Sequence, residues 1–169
     1  MNIFLIGDTH FGHPNIITFK KQDGSLLRPN LHDIHHHDEQ LIHNWNSVVK
    51  VIDKVYHLGD VGFKNFTHME NTFKRLHGTK ILIKGNHDIH KLSQYAQIFK
   101  DVRGSHVIDK NLLTHIPVHP YSKGRWKHNI HGHLHDKVLD DPWYINVSAE
   151  QINLTPISYE ELKKKHAFH

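Results

Sequence analysis

Residues Ile130–Asp136 read IHGHLHD, three histidines at alternate positions with a carboxylate behind them. In extended backbone, residues two apart share a face, so His131, His133 and His135 would present imidazoles to one point. That suits a metal ion, and equally a histidine-rich surface. The rest of the chain repeats the pattern in a telling place. IFLIG precedes Asp8 and His10, and VYHLG precedes Asp60. ILIKG precedes Asn86, His87 and Asp88, LLT precedes His115, and NIHG precedes His133 and His135. Each of these five apolar runs ends in a group able to bind metal or move a proton. Four carry a glycine directly before it, which permits a sharp turn.

Two carboxylates (Asp8, Asp60), one amide (Asn86) and four imidazoles (His10, His115, His133, His135) exceed the four ligands of one tetrahedral zinc. They suit two ions sharing a bridging carboxylate, which lie about 3.5–4 Å apart and clamp the oxygens of a displacement at phosphorus. The chain has no cysteine, so disulfides, thiolate ligands and cysteine nucleophiles are excluded. Nitrogen and oxygen donors together point to divalent transition metals, manganese (Mn) first and iron (Fe), zinc (Zn) or nickel (Ni) after it. Magnesium and calcium prefer all-oxygen shells.

The elements that would carry these groups alternate. Apolar runs at Ile3–Ile6, Lys54–Leu58, Lys80–Ile83, Val102–Ile108, Asn111–Thr114, His128–Ile130 and Tyr144–Val147 predict strands. Helical spacing runs from Asp38 to Lys50, with Trp45 on its apolar face, and from Thr67 to Leu76. Thr67 with Glu70, and Ser158 with Glu161, predict capping boxes. Alternating strands and helices in the first half predict α/β with parallel pairing; short connections in the second predict antiparallel, meander-like pairing. In open α/β sheets, sites assemble at the carboxyl ends of strands.

At 169 residues, with no repeat or composition break, the chain predicts one domain over 1–169. The opening MNIFLIGD is too short and too soon polar for a signal peptide or membrane span. The expectation is a soluble, cytoplasmic protein with no membrane partner. A net charge of +4 suits an anionic substrate but lacks the concentrated patch of a dedicated nucleic-acid binder.

The blocks GDTH, HLGD, GNHD, LLTH and GHLH, in this order, resemble the signature of the calcineurin-like metallophosphoesterases. DTHFGHPNI, WNSVVK and the tail INVSAEQINLTPISYEEL resemble a small stand-alone bacterial and phage branch of it. The resemblance implies a four-layer αββα sandwich of two mixed β-sheets flanked by helices. By motif it assigns Asp8, His10 and His135 to a first metal, Asn86, His115 and His133 to a second, and Asp60 to the bridge. It implies that His87 contacts the phosphoryl group and protonates the leaving oxygen, with Asp88 orienting His87. His131 then stands beside the ligands as a strand histidine.

Outside the motifs, His13 in FGHP and Arg28 in SLLRPN are candidate substrate contacts. HPYSKGRWKH mixes charge with rings, and its Arg125 and Trp126 are candidates for holding a nucleotide; a solvated hairpin with Trp126 turned inward fits as well. His35–His37 read as solvated surface at a helix entrance. The expected function is dinuclear metal-dependent phosphoester hydrolysis by a metal-bridging hydroxide. With no room for a large cap, a small nucleotide-like phosphodiester is favoured. Phosphomonoester hydrolysis, cleavage of nucleic-acid ends and a non-catalytic metal-binding scaffold are the alternatives.

Overall fold

Short apolar segments separated by amphipathic helices favour a sheet with crossover connections, and two sheets form. A computed structural model describes residues 1–63 and 65–168. Strands β1 (Ile3–Ile6), β2 (Lys54–His57), β3 (Thr79–Ile83) and β4 (Asp101–Arg103) pair in parallel. A two-residue strand Ile157–Ser158 later adds to β1 antiparallel, giving a mixed five-stranded sheet. The second sheet holds β5 (His106–Ile108), β6 (Asn111–Leu113), β7 (His128–His131) and β8 (Tyr144–Asn146) in that order. The strand at Ile157–Ser158 is therefore β9.

Two expectations fail here. The run Val102–Ile108 is not one strand: it breaks at Gly104–Ser105, and its halves join different sheets as β4 and β5. The second sheet is not a meander either. Only β5–β6 is antiparallel, while β6–β7 and β7–β8 are parallel. Residues 114–127 and 132–143 are connections of the dozen or more residues that a parallel crossover needs. The consequence is functional, because antiparallel β6 and β7 would end at opposite edges of the sheet. In parallel, both strands deliver the residues at their carboxyl ends to the same edge.

Helices α1 (Ile34–Val48), α2 (Phe66–Lys74) and α3 (Leu92–Ile98) bury Leu41, Ile42, Trp45, Met69, Phe73 and Tyr95 against one face of the first sheet. Leu5, Leu58, Ile83, Leu113, Ile130 and Ile145 fill the space between the sheets, closed by Tyr159 and Leu162 of α4 (Tyr159–Lys165). The other face of the second sheet is covered by a loop: Val118 bonds Asn129 and the Tyr144 hydroxyl, and Lys123 lies over Trp143. Caps set the helix starts. Asp33 accepts from His36 N, so α1 begins before Asp38. Asn65, not Thr67, caps α2. Ser158 caps α4 by accepting from Glu161 N, which is the N-cap half of the expected capping box. Among the described residues, no helix is long and apolar enough to cross a membrane.

Candidate metal centre

The carboxyl ends of β1, β2 and β3 meet those of β6 and β7 along one edge, so side chains far apart in sequence converge. Asp8, His10 and His135 bring one donor atom each within 4.8 Å of one another, and Asp60, His115 and His133 do the same. The groups adjoin: Asp60 Oδ2 lies 3.9 Å from His10 Nε2 in the first and 3.4 Å from His115 Nε2 in the second. The other oxygen, Oδ1, accepts from His87 N at 2.9 Å. Asn86 joins the second group, its Oδ1 2.9 Å from His115 Nε2.

The backbone is bent to achieve this. Asp8, His10, Asp60, His133 and His135 all have positive φ, between 50° and 69°. L-residues with side chains avoid this region, at roughly 1–3 kcal/mol each, and such strain clusters at functional sites. Of the preceding glycines, Gly59 makes the sharp turn expected of it, with φ 89°, but two others act differently. At Gly85 and Gly132 φ is ordinary, and the need is close approach. A Cβ would sit 2.6 Å from Asp60 N at Gly85, and 2.5 Å from Asp8 Oδ2 at Gly132.

The donor atoms are oriented for a cation. The Nδ1 of His115 lies 2.6 Å from Leu58 O, and a carbonyl only accepts, so Nδ1 carries the proton. Its Nε2 lone pair then faces the oxygens of Asn86 and Asp60. His135 Nδ1 donates to Glu150 Oε1 at 3.0 Å, which frees its Nε2. Asp8 Oδ1 and both ring nitrogens of His10 are buried without a hydrogen-bond partner, a rare and costly state that a bound cation would relieve at Asp8 and at one of the two nitrogens. Burial pushes the Asp8 carboxyl up to about 6, against the pull of His115 and His135. Burial also works against charge on His115 and His135, but Asp60 and Asp8 around the first and Glu150 beside the second raise both above the usual histidine range. Protons thus gather where a cation would compete for the same lone pairs.

Four residues take roles the sequence reading did not give them. Arg28 is not a substrate contact. Its side chain is fully buried, and it donates to Thr9 O at 2.9 Å, to Asp8 O, to Glu150 Oε1 at 2.8 Å and to His37 Nε2 at 2.6 Å. His37 is not solvated surface: it is buried and passes its Nδ1 proton to Asp38 at 2.9 Å. Asp88 does not orient His87. Its carboxylate accepts from the backbone N–H groups of Asp60, Val61 and Gly85 at 2.7–2.9 Å, tying the HLGD turn to the GNHD turn. Glu150 was missed altogether. Its carboxyl is held down to about 2, against its burial, by Arg28 and His135.

The remaining candidates divide cleanly. His87 is exposed and lines a cleft of about 240 Å³ with His10, His13, Asp60, Phe63, His133 and His135. His13 accepts from Asn15 N and forms part of the cleft wall. Arg125 is exposed and Trp126 half-buried, and neither lines that cleft. Their loop turns toward Trp143, whose indole N–H donates to Trp126 O, and toward Asp141, which pairs with Lys123. His131 belongs to neither donor group. Its Nδ1 lies 2.7 Å from Gly132 O, and burial lowers its pKa to about 4.

Fold and site together define a mixed α/β sandwich with paired histidine–carboxylate groups at one sheet edge. The chain belongs to the family of the uncharacterized protein MJ1445 of Methanocaldococcus jannaschii, with which it is 32% identical over 171 residues, 96% of this chain and 89% of that protein. It is also similar to the crystal structure of a protein of unknown function, AQ665 of Aquifex aeolicus. The TM-score is 0.74 and the identity 27%, over 97% of this chain and 98% of the other. No family model matches the chain.

Proposed function

We propose that this chain is a dinuclear metal-dependent phosphoesterase of the calcineurin-like kind, acting on a small phosphodiester. One observation carries the reading: a single carboxylate oxygen, Asp60 Oδ2, stands within 4 Å of both donor groups, the position of a bridging ligand. Asp8, His10 and His135 would hold one ion, and His115, His133 and Asn86 the other. Two transition-metal ions would supply charge for the phosphoryl oxygens and an activated water for attack at phosphorus.

The chain's own groups do the rest. His87 stands exposed at the cleft with its backbone fixed to Asp60, so its imidazole can reach a leaving oxygen and give it a proton. Asp88 keeps His87 in place only through the turn. Asn86, beside it, places its amide oxygen at the second group. The exposed His87, Phe19 and Phe63 leave the cleft open to solvent on that side, with room for a second ester group, which favours a diester over a monoester.

The test strips the protein of metal, restores manganese, zinc or nickel separately, and compares bis-p-nitrophenyl phosphate with p-nitrophenyl phosphate. Diester turnover that needs a transition metal and disappears in Asp60→Ala supports the reading. Turnover of the monoester alone makes the protein a phosphatase. Two bound ions with no turnover of either would leave a metal-binding scaffold.

A further inference from the structure

We propose that Phe63, Phe19 and His13 form an aromatic subsite beside the two donor groups, and that it selects a phosphoester carrying a single ring, aryl or nucleobase. The subsite rests on the metal-centre reading above, and names the part of the substrate that reading leaves open. Phe63 is 41% exposed and Phe19 43% exposed. Isolated exposed rings need no explanation. These two line the same cleft as His10, Asp60, His87, His133 and His135, with Ile16 buried behind them. The Phe63 ring centroid lies 5.4 Å from His10, 5.1 Å from His87 and 4.2 Å from His13, and Phe19 continues the wall 5.5 Å from His13.

The position of Phe63 is prearranged. Its N–H donates to Phe11 O at 3.0 Å, and Phe11 bridges Gly62 at the point where the chain leaves β2. The main chain under the ring is thus fixed at the cleft, which lowers the ordering needed on binding. Among the described residues lining the cleft there is no lysine or arginine, and Asp60 is the only carboxylate. A second phosphate or a carboxylate on the substrate would meet no lysine or arginine among those described residues. A flat apolar group would find three rings. The volume, about 240 Å³, falls below the roughly 300–1,000 Å³ of pockets for drug-sized ligands. It suits a phosphoryl group with one ring, not an extended strand.

The test uses the manganese-loaded protein and two non-hydrolysable probes, phenylphosphonate and methylphosphonate, with binding read by calorimetry. Stacking on an aromatic side chain is worth enough to predict a phenyl preference of roughly tenfold or more. In Phe63→Ala, and to a smaller degree in Phe19→Ala, that ratio falls toward one while metal content and thermal unfolding stay as in the parent. Equal binding of the two probes by the parent protein overturns the subsite, as does a ratio that neither variant moves.

A second measurement separates this from the catalytic reading. The two phosphonates are compared again as inhibitors of bis-p-nitrophenyl phosphate turnover, so that the diester reports the enzyme and the difference between phenyl and methyl reports the subsite. Equal inhibition of Asp60-dependent turnover keeps the enzyme and overturns the subsite. A phenyl preference in binding without turnover of the diester keeps the subsite and removes the enzyme. A light-scattering mass of two chains that drops to one in Phe63→Ala shows the rings buried against a second copy, and overturns the proposal.

Discussion

Asp8, His10 and His135 are braced from behind by charge. Glu150 accepts a hydrogen bond from His135 Nδ1, Arg28 pairs with Glu150 and donates to the carbonyls of Asp8 and Thr9, and His37 links Arg28 to Asp38 on α1. Asp60, His115 and His133 are braced by main chain. Leu58 O takes the His115 proton, Asp88 binds three backbone N–H groups under the turns, and the His133 N–H donates to Asp8. A carboxylate behind a histidine raises its basicity as a ligand; a carbonyl does so less. The first group should therefore hold its ion more tightly, and its support should be separable from the fold. Support of the second is the fold.

The largest effect tests what the groups share. Asp60→Ala removes the oxygen common to both, so metal content, read by mass spectrometry, should fall from about two ions per chain to one or fewer. Diester turnover should drop to background. Retention of both ions with full turnover would show that the groups work separately and would remove Asp60 from the bridge.

Next in size is Asp88→Ala, which attacks the backbone support. Three buried N–H groups lose their acceptor, at about 3–5 kcal/mol in all, or roughly 6–20 °C in Tm for a chain of this size. Calorimetric melting checks it. A small fall in Tm combined with a collapse in turnover would instead restore Asp88 to a direct part in the chemistry beside His87.

The two kinds of support differ in how far the sequence shows them. The donor residues after strands are visible because type, spacing and the preceding apolar run all lie within a few residues. Arg28 and Glu150 are not, since they meet across 122 positions, and SLLRPN and SAEQIN carry no local mark of burial. Asp88 misleads for the opposite reason. Adjacent to His87 in sequence, it turns away from it in space to take the amides of the preceding loop. His37 looks like its exposed neighbour His35, and only the helix phase set by Asp33 separates them. Other misses had signals. Gly104 marks the break between β4 and β5, and Leu92, Tyr95 and Phe99 fall at the spacing of α3.

The third effect isolates the charge-backed group. Glu150→Gln keeps the shape and removes the charge behind His135. The ion held by Asp8, His10 and His135 should bind about 10–100-fold more weakly, the usual cost of losing such a partner. The other should change little. Two-site calorimetry gives both constants from one titration, and their ratio is the informative quantity. Glu150→Gln also leaves the buried Arg28 charge uncompensated and lowers overall stability. That general loosening would weaken both ions alike, and an unchanged ratio would erase the distinction between the groups.

The smallest effect concerns the contact that joins them. The Thr9 hydroxyl donates to Val61 O at 2.9 Å, so at 2.8 Å it must accept from His57 Nε2–H. Thr9 lies between two donor residues of the first group, Asp8 and His10, and Val61 is the residue after Asp60 of the second. Burial lowers the His57 pKa from 6.5 to about 3. Between those values the unfolded chain binds a proton that the folded chain does not. Stability is therefore undiminished above about pH 6.5 and falls as the pH drops toward 3, by at most about 1.4 kcal/mol per pH unit for this one proton. Urea unfolding of metal-free protein at pH about 7, 6 and 5 reads the slope. His57→Gln keeps an N–H donor for Thr9 and takes up no proton, so its slope should be flatter by nearly one proton's share, whatever His10, His37 and His131 add to both proteins. An unchanged slope would mean that His57 already carries a proton when folded. The neutral stitch between the charge-backed and backbone-backed groups would then be an ionic one.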